Sequence, residues 1–297
     1  MDRDEFIITV YCLVCEHYQV IKQSSLVRRG GFAPALSDEE VITMEICGEY
    51  FKLATDKDLF GYFRTPYRHF FPQLTDRTLF VRHAANLWRV KTLIQHRLTV
   101  VSGQADVRVQ IIDPLPLPVC GYTRSGRDRG FPTLADYGHC AAKQLDYYGF
   151  KLGLRISRWG MIIHYPLLPA RPHDIRLLAD LVEGFAGLVP ADKGFIEAFR
   201  WALLAERQGV LVVTPPRRGM TTAHSPALLR FCAWLRKAVE TVGAHLTERF
   251  SIARIRVHDL WHFHHRVIRK ILAHTVGVFL NLQLHRPPLD LDGLVTV

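Results

Sequence analysis

The chain has 297 residues, 48% of them apolar and 22% charged, with 38 Lys and Arg against 28 Asp and Glu for a formal net charge of +10. That length suits one sizeable core, or a catalytic domain with a smaller helical one, and the composition excludes a disordered chain. The positive balance favours a polyanionic partner, nucleic acid before an anionic membrane, and no apolar run reaches the roughly 20 residues that span a bilayer.

The opening Met1-Asp2-Arg3-Asp4-Glu5 lacks the basic start and long apolar stretch of a secretory signal, so a cytoplasmic protein is expected. Six scattered cysteines, Cys12, Cys15, Cys47, Cys120, Cys140 and Cys232, read as reduced thiols. Cys12 and Cys15 form a C-x-x-C inside a helical pattern with no second pair nearby, which argues against a zinc site.

Residues 1–104 read as a helical domain. "DEFIITVYCLVCEHYQVIK" has apolar residues at helical spacing. "LSDEEVITMEICGEYF" starts with a capping box made by Ser37 and Glu40. "LTDRTLFVRHAANLWRVKTLIQHRL" is read as one basic helix capped by Thr75, with Arg77 and Arg82 among its cations. Helix, turn, basic helix is compatible with a helix-turn-helix that binds DNA; from pattern alone an ordinary bundle with a solvated basic face is slightly the better reading.

From residue 105 to 297 the pattern becomes mixed α/β. "DVRVQIID" reads as a strand stopped at Asp113 by Pro114, Pro116 and Pro118. "YYGFKLGLRIS" and "MIIHYPLLPA" read as two more strands joined by a turn at Arg158-Trp159-Gly160. Then follow a helix in "RPHDIRLLADLVEGF", a short strand in "LVPADKGF" ending on Asp192, a helix in "IEAFRWALLAERQ" and a strand in "GVLVVTPP". A long helix in "SPALLRFCAWLRKAVETVGAHLTERF" and a helical tail in "RVIRKILAHTVGVFLNLQL" close the chain. Between the first two strands, at about 120–145, lies a basic, glycine-rich insertion containing Arg124, Arg127 and Arg129 beside Asp128. It reads as a clamp near Asp113 or as a surface loop.

Asp113 and Asp192 each follow an apolar strand and precede a break. Two carboxylates brought together at strand ends repel unless a cation joins them. Mg²⁺ prefers such hard oxygen donors and keeps waters that leave room for phosphate. Glu240 is the third acid, in "WLRKAVETVGAHL" on a helix with Leu235, Val239, Val242 and Leu246 as its buried stripe. It is expected on the core-facing side, one turn after Arg236. Such a trio suits a two-metal phosphoryl-transfer site.

Five blocks in order carry a resemblance. "IIDPLPLPVC", "YYGFKLGLRIS", "HDIRLLADLV" with "ADKGF", "RKAVETVGAHLTERFSI" and "HRVIRKILAHTVGVFLN" resemble the DDE transposases of bacterial insertion sequences. The likeness is greatest to the insertion-sequence group numbered 982, over nearly the whole chain. The resemblance implies an RNase H-like mixed sheet flanked by helices. It also implies two Mg²⁺ or Mn²⁺ ions held by Asp113, Asp192 and Glu240, and transfer of a DNA element. It implies double-stranded DNA partners (terminal inverted repeats and target), a homodimer, no membrane, and a nucleoid-associated bacterial protein. Family members often place a hydroxyl residue after the first Asp, where this chain has Pro114. The wider family's Tyr before the Arg and Lys after the Glu are here Ala233 and Thr247, with Arg249 near the second.

Further DNA contacts are expected at Lys151 and Lys193 beside the acids, and at Arg217 and Arg218 after a strand. Arg236 and Arg249 flank Glu240, and Arg266, Arg269 and Lys270 are read as a positive face on the last helix. Solvated side chains are the alternative for each. His173-Asp174 is a helix cap or a support for the metal site. His258 and His262 have helical zinc spacing, but in "VHDLWHFHHR" Asp259 is the only acid and there is no Cys, so a DNA-contacting or packing segment is the better reading. Two rivals to a transposase are a metal nuclease that cuts without joining and a DNA-binding protein with a dead core.

Overall fold

Alternating prolines do not end the first strand. In the computed structural model β1 runs Gln110–Gly121, through Pro114, Pro116 and Pro118, which corrects the expected stop at Asp113. The reason lies in the ladder with β3 (Leu145–Ser157), which pairs Pro114 with Gly153, Pro116 with Lys151 and Pro118 with Gly149. Gly153 donates its N–H to Pro166 O at 2.8 Å, and Gly149 O accepts from Ala170 N at 3.1 Å, both on the far side of β3. The proline pairs are therefore the non-hydrogen-bonded ones, and each missing N–H points away from β3. Asp113, Leu115 and Leu117 keep the ladder closed.

The structure describes residues 1–24, 27, 34–127, 130–131, 134–140, 144–221 and 224–296, with the side chains of Arg124 and Arg127 excluded. Arg129 and Asp128 of the basic insertion lie outside the described residues. The chain divides into two compact units, residues 102–247 and residues 1–101 together with 248–297.

In the unit 102–247, β1 and β3 are antiparallel. β2 (Asp136–Cys140), β4 (Ile162–His164) and β5 (Leu167–Pro169) line the other edge of β3. β2 lies in the insertion that was expected to be loop. "MIIHYPLLPA" makes two short strands, not one, because Pro166 interrupts the run. β6 (Gly187–Pro190) and β7 (Val210–Val213) pair in parallel, and a parallel bridge from Val109 to Leu188 attaches them beside β1. Helix α6 (Ile175–Leu181) precedes β6, α7 (Ala198–Gln208) links β6 to β7, and α8 (Pro226–Ala244) follows β7. The core gathers Ile112, Leu177, Leu178, Leu181, Val189, Phe195, Leu204, Val210 and Val212. α8 starts at a Ser225 cap and buries Cys232, Leu235, Val239 and Val242 against β1 and β6. It ends in a π turn, His245–Arg249, not in the continuous helix expected to residue 250.

The other unit is helical: α1 (Arg3–Ser24), α2 (Asp38–Tyr50), α3 (Asp56–Arg64), α4 (Arg77–Asn86), α5 (Trp88–Val101) and α9 (Leu260–Gln283). The Ser37–Glu40 capping box is formed. The single helix expected after residue 75 breaks at Leu87, and Asp76, not Thr75, caps α4. Residues 248–297, counted above with the catalytic domain, belong to this unit because α9 packs on α5 and α2.

Its interior holds charge. Lys91, fully buried, donates to Glu45 Oε2 and meets His265 Nδ1, both at 2.7 Å. Glu49 takes Arg269 at 2.6 Å and Lys270 at 2.8 Å. Arg266 pairs with Asp56. The expected phosphate-binding face of Arg266, Arg269 and Lys270 is thus an internal ion-pair network, because the acids of α2 and α3 meet these cations. No helix among the described residues is long and apolar enough to cross a membrane.

Candidate active site

Two parallel strands set the site. β1 and β6 run the same way, so Asp113, within β1, and Asp192, two residues past β6, lie toward one edge. Ala191 N–H to Val213 O at 2.9 Å holds the chain in register up to Asp192. α8 crosses both strands and brings Arg236 over the acids. Its Nη1 lies 3.3 Å from Asp192 Oδ1 and its Nη2 3.7 Å from Asp113 Oδ1. One guanidinium therefore faces two carboxylates from different strands.

Burial is the main force on Asp113 and raises its carboxyl from 3.8 to about 7. Arg236 opposes that rise, while the charges of Asp192, Asp174 and Glu240 add to it. All four groups are near enough to be felt at one oxygen pair. Glu240 is exposed, not on the core-facing side. The buried stripe of α8 takes Val239 and Val242 and leaves Glu240 with Arg236 on the helix flank, one turn apart.

Asp174 has a role that the sequence left open. It makes no side-chain cap to α6. Lys151 Nζ donates to its Oδ1 at 2.7 Å and to Pro172 O at 2.8 Å. Asp174 also packs on Gly194, where any Cβ would sit 2.6 Å from Asp174 Oδ2. The Lys151–Asp174 pair so braces the turn that carries Asp192. Lys151 is committed to this brace and is only 15% exposed, which a free phosphate contact is not.

Lys193 is exposed, and Arg217 donates to its carbonyl at 3.2 Å, bringing the two cations together beside Asp192. Arg218, Arg77 and Arg82 are exposed. Arg249 is mostly covered and pairs with Asp292. His262 pairs with Asp259, the cap of α9, which accounts for that histidine without zinc. Among the described residues no three His, Cys, Asp or Glu side chains lie close enough to hold a metal ion. What stands between Asp113 and Asp192 is Arg236. That contact has no signal in the sequence beyond the four-residue spacing to Glu240.

A family model described as a transposase DDE domain matches residues 103–260, more than half of the chain. The chain belongs to the DDE transposase family. Its match covers Asp113, Asp192 and Glu240 and includes every strand of the sheet. No curated protein and no solved structure matches this transposase. The family acts on DNA and uses divalent metal ions. The side chains present suit such ions chemically: Asp113 and Asp192 are hard oxygen donors that already share one cation, and Asp113 lies where charge without compensation is costly.

Proposed function

We propose that the protein is an insertion-sequence transposase, of the group numbered 982, which cuts the ends of its element and joins them to target DNA. The observation that carries this reading is the meeting of Asp113 and Asp192, from parallel neighbouring strands, at one guanidinium of α8. The strand order supports an RNase H-like core: an antiparallel group of β1, β3, β4 and β5, continued beyond β1 by parallel β6 and β7. The acids then come from β1, from the end of β6 and from the helix after β7.

Asp113 and Asp192 would hold two Mg²⁺ or Mn²⁺ ions, with Glu240 approaching from α8. Bound ions supply the charge that activates a water or a 3′-hydroxyl and steadies the leaving oxygen. Asp113 and Asp192 fix the point at which the phosphate must sit. Lys193 and Arg217 hold the DNA backbone next to it, so binding weakens steeply with salt. Lys151 and Asp174 keep the Asp192 turn from shifting. The helical unit of residues 1–101 and 248–297, with Arg77 and Arg82 exposed on α4, supplies further DNA contacts, and two copies act together so that two ends are joined. The protein works in the cytoplasm at the nucleoid.

The test is an assay with pre-cleaved DNA ends taken from the flanks of the coding region, a target plasmid and Mg²⁺ or Mn²⁺. Joined products are expected with the native chain and none with Asp113→Asn or Asp192→Asn. Hydrolysis without joining would make the protein a nuclease. DNA binding with neither cutting nor joining, the same in the native chain and in both variants, would leave a DNA-binding protein with a dead core.

A further inference from the structure

The two acids of the site are held together by a side chain, not left apart. Arg236 offers one terminal nitrogen to each, at 3.3 Å and 3.7 Å. These distances exceed the roughly 2.7–2.9 Å of a tight charge-assisted bond, so the guanidinium neutralises both acids without being locked to either. Its side chain is 19% exposed, and its Nε is buried with no hydrogen-bond partner among the described residues. The group has given up a hydrogen bond in order to lie there. The neighbouring acid Asp174 takes its own cation, Lys151, so among the described residues Arg236 is the cation paired with both Asp113 and Asp192. Ala233, one turn before Arg236, is small and exposed, and Glu240, one turn after it, is exposed as well. The flank of α8 therefore leaves Arg236 room to turn outward.

We infer that Arg236 is a placeholder cation that is exchanged for metal. It holds Asp113 and Asp192 together before divalent ions arrive. It leaves when they bind, because a guanidinium and a divalent ion repel each other between the same two carboxylates. The freed guanidinium then takes a DNA phosphate in its two-pronged grip. DNA and metal thus help each other to bind: a phosphate that draws Arg236 outward vacates the acid pair, and metal on the acid pair releases Arg236 to the phosphate. This inference rests on the reading that Asp113 and Asp192 are the metal ligands.

The experiment measures Mn²⁺ binding to the full chain by the electron-spin signal of free Mn²⁺, with and without a short DNA duplex, at fixed pH and salt. Arg236→Ala and Arg236→Met are expected to bind Mn²⁺ on the order of tenfold tighter than the native chain without DNA. Arg236→Lys, which keeps the charge but cannot span both acids, falls between. Duplex DNA tightens Mn²⁺ binding to the native chain and leaves it unchanged in Arg236→Met. Without metal, Arg236→Ala and Arg236→Met melt at lower temperature than the native chain, and Mn²⁺ raises their melting temperature by more. Native or weaker Mn²⁺ affinity in both Ala and Met variants overturns the inference while leaving the metal site intact. If Asp113→Asn and Asp192→Asn bind Mn²⁺ as the native chain does, the site reading itself fails.

Discussion

Lys151 Nζ lies 2.7 Å from Asp174 Oδ1, and this pair stands against Gly194, two residues beyond Asp192. Both partners are mostly covered, at 15% and 29% exposure. Lys151→Met removes the cation and strands a carboxylate beside two other acids. Stability should fall by about 1.5–3 kcal/mol, read from urea unfolding. Adding Asp174→Asn to the same chain should restore part of the loss. A Lys151→Met chain as stable as the native one would show that the pair braces nothing.

Asp113 gives the metal-free protein an unusual pH dependence. Its folded carboxyl titrates at about 7 against 3.8 for the ordinary group, mainly through burial. Between those values the unfolded chain has lost the proton that the folded chain keeps. The unfolded state thus binds fewer protons, and this group's contribution to stability falls as pH rises from about 4 to about 7. Melting temperatures taken across that window should show the decline, and Asp113→Asn should flatten it. Mg²⁺ should raise the melting temperature above pH 7 and have little effect at pH 5. Superimposable native and Asp113→Asn profiles would contradict the assignment.

The buried pair of Lys91 and Glu45 should be far more sensitive to loss of one partner than of both. Each is almost wholly covered. Burial drives the Lys91 ammonium down and the Glu45 carboxyl up, each opposing its own charge. Lys91→Met leaves Glu45 without its nearest cation and should cost about 3–5 kcal/mol. The double change Lys91→Met with Glu45→Leu should recover most of it. Denaturant unfolding of the four chains measures the coupling directly.

Gly277 allows α9 to approach α2. A Cβ there would collide with Tyr50 Oη and reach Leu291 Cδ2 at 2.8 Å. Tyr50 Oη is fixed in place by its bond to Ala273 O at 3.2 Å. Gly277→Ala should destabilise the helical unit by about 1–3 kcal/mol. Tyr50→Phe removes the colliding oxygen, so the double variant should be more stable than the two single losses added together. Additive losses would mean that the oxygen is not the obstacle.

The approach of Asp113 and Asp192 was legible because an apolar run before an acid is a local signal, although the breaker after Asp113 does not end its strand. Apolar runs before Asp113 and Asp192 marked both positions, and the order of blocks placed Glu240 on its helix. The path of β1 was not legible, since a proline's effect depends on which edge of the strand its nitrogen faces, and only the register with β3 fixes that. The exposure of Glu240 was missed for a related reason: its neighbours Val239 and Val242 are buried, and one helical step separates core from flank. The basic residues of α9 misled because a sequence shows cations without showing that Glu45, Glu49 and Asp56 lie opposite them. Family resemblance, not periodicity, supplied the DNA chemistry.

Pro114, Pro116 and Pro118 strip one margin of β1 of amide hydrogens just beyond Asp113. An extended peptide from another molecule would find acceptors there and no donors to complete a ladder. The margin beside the acids is thereby sealed against β-type self-association, and what comes to rest on it must be recognised by side chains.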